Sequence, residues 1–86
     1  MPCAAAWNLG QDLPKIISGR LTPGVPQRWT VTVTGSSVDG DTFRTTFKTK
    51  GKCLATEIGE LVEDEIEDFK KKAGKLATLS WTAICR

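Results

Sequence analysis

The sequence predicts a small α+β domain: a ββαβ core over residues 29–86, with an antiparallel hairpin, a third strand and one long amphipathic helix packed on one face of the sheet. Three observations predict it. Two stretches around a turn alternate with period two, one stretch repeats its apolar residues at steps of three and four, and residues 76–85 alternate again.

The hairpin is "WTVTVTGSSVDGDTFRTTFKTK". Trp29, Val31 and Val33 fall on one face and Thr30, Thr32 and Thr34 on the other, while Phe43, Thr45 and Phe47 oppose Arg44, Thr46 and Lys48. A two-residue loop at Asp39–Gly40 would put Val33 opposite Thr46 and mix the faces. A three-residue loop of Val38, Asp39 and Gly40, with Gly40 at positive φ, pairs Val31 with Phe47, Thr32 with Thr46 and Val33 with Thr45, so both faces sort by polarity.

The helix follows. Leu54, Ile58, Leu61, Val62, Ile66, Phe69 and Ala73 form one stripe. Its start is blurred around Cys53 to Thr56, and Gly59 costs about 1 kcal/mol in its first turns unless close packing needs the missing side chain. Its end is sharp, because Gly74 beyond Lys70, Lys71 and Lys72 suits a positive-φ residue after a basic last turn. "LATLSWTAIC" then alternates Leu79, Trp81 and Ala83 against Thr78, Ser80 and Thr82, a third strand reached by a helical crossover.

Residues 1–28 read as an irregular N-terminal segment of the same single domain, 1–86. "DLPKIISG" permits a short helix over 13–18, with Asp12 as cap and Pro14 tolerated in the first turn, and "RLTPGVPQ" is a turn-rich connector. At 86 residues such a domain buries only ~60–65% of its unfolded surface, so its core is small.

Charge is distributed unevenly although the net is only +2. Residues 1–56 carry seven bases and three acids, residues 57–69 seven acids and no base, and residues 70–86 five bases and no acid. Glu67–Lys71 and Asp68–Lys72 stand at i,i+4 in the favourable order, each contributing about 0.2–0.5 kcal/mol. Glu60/Asp64, Asp64/Asp68 and Glu63/Glu67 are like-charge pairs that cost about as much. These pairs and the helix dipole explain the lysines and leave the acids unexplained, so Glu57, Glu60, Glu63, Asp64, Glu67 and Asp68 form a candidate surface for a basic protein partner.

The expected function is a non-catalytic interaction module that self-associates as a homo-oligomer, because a bare three-stranded sheet is readily covered by a second copy. A small nucleic-acid-binding domain is the alternative, using Arg44, Lys48, Lys50, Lys70, Lys71, Lys72 and Lys75 with the Thr-rich sheet face. Against it, sheet-based readers stack bases on exposed aromatics, and here the aromatics other than Trp7 fall on the core face or its edge. A thiol-reactive protein is a third class, through Cys53 between nearby lysines and a helix N-terminus.

No catalytic residue is assigned and no enzyme is expected: there is no histidine, no P-loop, no G-x-G-x-x-G and no G-x-S-x-G. No metal site or cofactor is expected, and the carboxylates lack EF-hand spacing. Three cysteines without C-x-x-C argue for reduced thiols, with a bridge between Cys3 and Cys85 open only if the chain ends meet. No run is long enough to span a membrane, and "MPCAAAW" lacks the pattern of a signal peptide, so a cytoplasmic setting is the expectation. The small size and lack of catalytic residues would suit an accessory protein of a phage or mobile element.

Overall fold

The computed structural model describes residues 4–18 and 26–85. Strands β1 (Ala4–Asn8), β2 (Lys15–Ser18), β3 (Trp29–Ser37), β4 (Thr42–Lys48) and β5 (Leu76–Cys85) form one five-stranded sheet in the order β2-β1-β5-β3-β4. Every neighbouring pair is antiparallel. A 3-10 turn (Ala55–Glu57) leads into α1 (Ile58–Ala73), which carries the chain from β4 past β3 to β5. The ββαβ core and its α+β class are therefore present.

The hairpin has the register that polarity requires: Val31 pairs with Phe47, Thr32 with Thr46 and Val33 with Thr45. Its loop is Val38–Gly40, closed by Ser37 N–H donating to the Asp41 carbonyl at 2.8 Å, with Gly40 at φ +94°. The buried Ser37 hydroxyl accepts a bond from Asp41 N–H at 3.2 Å.

Two corrections concern the N-terminal segment. Residues 4–8 are not irregular; they form β1, which pairs with β5 from Ala4↔Ile84 to Asn8↔Ser80. In place of the expected helix over 13–18, Lys15–Ser18 is strand β2, at the edge beyond β1. "AAAWN" conceals its alternation because alanine is apolar on either face. "KIIS" gains more from pairing than from a one-turn helix, since helix nucleation is costly and isoleucine favours strands.

The core lies between the sheet and α1. The rows Phe47–Val31–Ala83–Ala5 and Thr45–Val33–Trp81–Trp7 cross the sheet on its inner face, and Ile58, Val62 and Ile66, four residues apart, press on them from the helix. Burial of each such aliphatic side chain contributes about 1.5–3 kcal/mol. One further row, Phe43–Gly35–Leu79, contains a gap at its centre. A Cβ on Gly35 would lie 2.5 Å from Phe43 Cε1 and 2.9 Å from the Thr78 carbonyl oxygen, so only glycine lets the Phe43 ring fold over the sheet.

Cys85 is disulfide-bonded, which corrects the expectation of three reduced thiols. The β1–β5 register begins at Ala4↔Ile84, one residue before Cys85. Cys3 lies outside the described residues. Among the described residues, no helix is long and apolar enough to cross a membrane.

Candidate functional site

The outward face of α1 carries a dense run of carboxylates. Because Ile58, Val62 and Ile66 are buried, the positions between them turn outward, and Glu60, Glu63, Asp64, Glu67 and Asp68 are all exposed. Glu67 meets Lys71 at 3.6 Å, with both side chains about two-thirds exposed, and this is the one ion pair within 4 Å among the described residues. The expected Asp68–Lys72 pair is not formed. Glu57 serves the fold locally, because its Oε1 accepts the Leu54 N–H at 2.9 Å and closes the turn before the helix. That bond accounts for Glu57 without a partner and leaves five acids of the strip unexplained by the fold.

Two hollows flank this face. On the β4 side, a groove of about 420 Å³ runs between α1 and the segment after β4, lined by Lys48, Lys50 and Lys52, by Asp64 and Glu65, and by Phe47 and Leu61 among others. Glu65 does not belong to the strip that the sequence predicts; its place beside Asp64 in the groove depends on where β4 ends. On the β1 side, a slot of about 200 Å³ opens between α1 and the β1–β2 connection, lined by Trp7, Trp81, Gly59, Asp12 and Glu63 among others. Nothing in the sequence pattern brings Trp7 or Asp12 to the helix, because only the pairing of β1 with β5 does so.

The cations of the nucleic-acid alternative are not brought together. Lys48 and Lys50 sit at one end of β4, with Lys50 in the following connection rather than on the sheet. Lys70, Lys71 and Lys72 end the helix, and Lys75 lies at the other end of β4, where its carbonyl accepts the Val38 N–H of the hairpin loop at 3.0 Å. The seven residues of β4 separate the two groups by about 20 Å. Arg44 stands alone between them on the outer face of the sheet.

That outer face carries Thr30, Thr32, Thr34, Ser36, Thr46, Thr78, Ser80 and Thr82 in cross-strand rows. Its hydroxyls largely bond one another: Ser36–Thr78 at 2.7 Å, Thr34–Ser80 at 3.0 Å and Thr32–Thr46 at 3.3 Å. No aromatic side chain of β3, β4 or β5 joins them, since Trp29, Phe43, Phe47 and Trp81 occupy inner-face positions.

Cys53 departs from what a reactive thiol needs. It precedes the 3-10 turn, its backbone pairs with Gln27, and its carbonyl accepts the Trp29 indole N–H at 2.9 Å. Burial raises the thiol pKa above its ordinary value and the Glu57 carboxylate raises it further, against a smaller opposing effect from the Thr49 hydroxyl. Lys50 and Lys52 share the groove with Cys53 without reversing that direction.

Comparison with protein-family models, with curated proteins and with solved structures returns no match.

Proposed function

We propose that the chain is a non-catalytic interaction module that holds a basic protein partner on the outward face of α1 and associates with itself through the outer face of its sheet. One observation carries the first part. Six exposed carboxylates, the five of the strip and Glu65, stand on one helix, a single one is paired, and the i,i+4 repulsions within the strip cost stability that the fold does not recover. A basic partner would offset that repulsion and would be steered toward the face as it approaches.

Self-association is favoured by the chemistry of the outer sheet face. Six of its hydroxyls are bonded in pairs, and Ala4, Ala6 and the 41% exposed Ile84 lie among them, so a second copy can cover its β1–β5 side away from Arg44 and Lys48 on β4. The sheet also ends in two strands, β2 and β4, each paired on one side. The cytoplasmic setting belongs to this proposal too, and the Cys85 disulfide weighs against it, since reducing compartments keep thiols free.

Reversing charge in the middle of the strip tests the partner face. Glu63→Lys with Asp64→Lys is expected to abolish salt-sensitive binding of a lysine-rich peptide while the urea midpoint stays put, because exposed charges contribute little to stability. Undiminished binding by the double variant would overturn the proposal. Light scattering across a salt series tests the second part: a salt-insensitive dimer or larger species is expected, and a monomer at every salt concentration would remove it. Mass gained with an oligonucleotide at low salt alone would point instead to phosphate contacts.

A further inference from the structure

The slot beside α1 has a chemistry that the charged strip does not share. Its floor is aromatic, with the buried Trp81 and the half-buried Trp7 opposite each other on β5 and β1. Its rim holds two carboxylates from separate elements, Asp12 on the β1–β2 connection and Glu63 on α1, and no base is found among its described lining residues. Gly59 borders open space on the helix side, since a Cβ built there meets no atom within 4 Å. Close packing does not require the glycine in the first turns of the helix.

The aromatic wall is held in place before anything binds. Trp7 Nε1–H donates to the Gln11 carbonyl at 2.7 Å, and the Gln11 side chain accepts the Asn8 N–H at 2.9 Å, tying the indole to the turn that follows β1. At about 200 Å³ the slot falls below the ~300–1,000 Å³ of sites for free small molecules and matches a single long side chain. Leu9 and Leu13, 53% and 68% exposed on the same connection, offer apolar contact beside it of the kind a protein partner covers.

We propose that this slot is the anchor point for the basic partner and receives one of its lysine or arginine side chains, the stem lying on the indole of Trp7 above the buried Trp81 and the cationic head between Asp12 and Glu63. Indole faces attract cations, and two carboxylates complete the match of charge. The proposal rests on the interaction reading of α1 and adds to it: the strip supplies attraction at a distance, and the slot supplies the fixed contact.

The indole N–H signals of Trp7, Trp29 and Trp81 in a ¹⁵N-labelled sample test it, with N-acetyl-arginine amide as the first probe. The Trp7 and Trp81 signals are expected to move, and Trp29, bonded to the Cys53 carbonyl, to stay. Gly59→Leu, which fills the slot and suits a helix better than glycine, is expected to abolish the shifts. Asp12→Asn, on the exposed connection, is expected to weaken them without touching the helix. A pentalysine peptide should then bind Gly59→Leu about tenfold more weakly than the native chain, the size of one largely desolvated cation–π contact.

Unmoved Trp7 and Trp81 signals, or shifts that survive Gly59→Leu, overturn the slot. Failure of the strip looks different. If Glu67→Lys with Asp68→Lys leaves pentalysine binding unchanged while Gly59→Leu weakens it, the slot stands and the strip fails; equal binding by the native chain and Gly59→Leu, lost on that charge reversal, gives the converse.

Discussion

Phe43 on β4 and Phe69 on α1 bring their ring centroids to 4.3 Å at an interplanar angle of 37°. The contact joins the C-terminal half of the helix to the sheet beyond the reach of Ile66, and the gap at Gly35 makes it possible. Phe69→Ala is therefore expected to lower stability by about 2–3 kcal/mol, less than a fully buried phenylalanine loses because the ring is half-buried. A double-mutant cycle with Phe43→Ala should return a coupling of about 0.5–1.5 kcal/mol; additive losses would mean that the rings do not meet in solution.

Gly35→Val is expected to cost at least as much as overpacking in a filled core, about 1–3 kcal/mol, in urea unfolding. The Phe43 ring can turn aside, but the Thr78 carbonyl belongs to the neighbouring strand. A midpoint equal to that of the native chain would show that the Phe43 ring does not lie where the register puts it.

Gly40 sits at φ +94°, where a β-branched residue is strained, and a built Cβ there meets nothing within 4 Å. Gly40→Val should thus destabilise by more than about 1 kcal/mol through backbone strain alone. Asparagine, which tolerates positive φ, should lose less. Equal losses for the two would implicate a contact of the loop rather than its conformation.

The Cys53 thiol, raised by burial and by Glu57, should alkylate more slowly at pH 8 than a free cysteine. The same shift sets a pH dependence. The folded state holds the thiol proton more tightly than the unfolded chain, so this contribution is fully present below the ordinary thiol pKa and fades as pH rises through the raised value. Stability should fall in mildly alkaline solution, and Cys53→Ala should flatten that part of the profile. Alkylation as fast as in the unfolded chain would revive a reactive role.

Much of the fold is legible in the sequence because local pattern and global packing agree in it. The stripe from Ile58 to Phe69 is the helix face that is covered, and sorting Thr32 with Thr46 and Val31 with Phe47 recovers the register of the hairpin. The candidate site is half legible: the acids from Glu60 to Asp68 are contiguous on one helix, so their exposure follows from its apolar stripe.

Sequence alone determined the elements whose residues carry a periodic contrast between apolar and polar: β3, β4, α1 and β5, together with the turn at Gly40 and the stop at Gly74. Tertiary structure decided what depends on distant partners. "AAAWN" and "KIIS" have little contrast and too few residues to declare a strand, and they become β1 and β2 because β5 offers an unpaired edge. From that pairing come the five-stranded sheet and a slot in which Trp7 and Asp12 meet Gly59 and Glu63 from some fifty residues away. Periodicity records which face of an element is buried; which other element buries it is settled only when backbone edges find their hydrogen-bond partners.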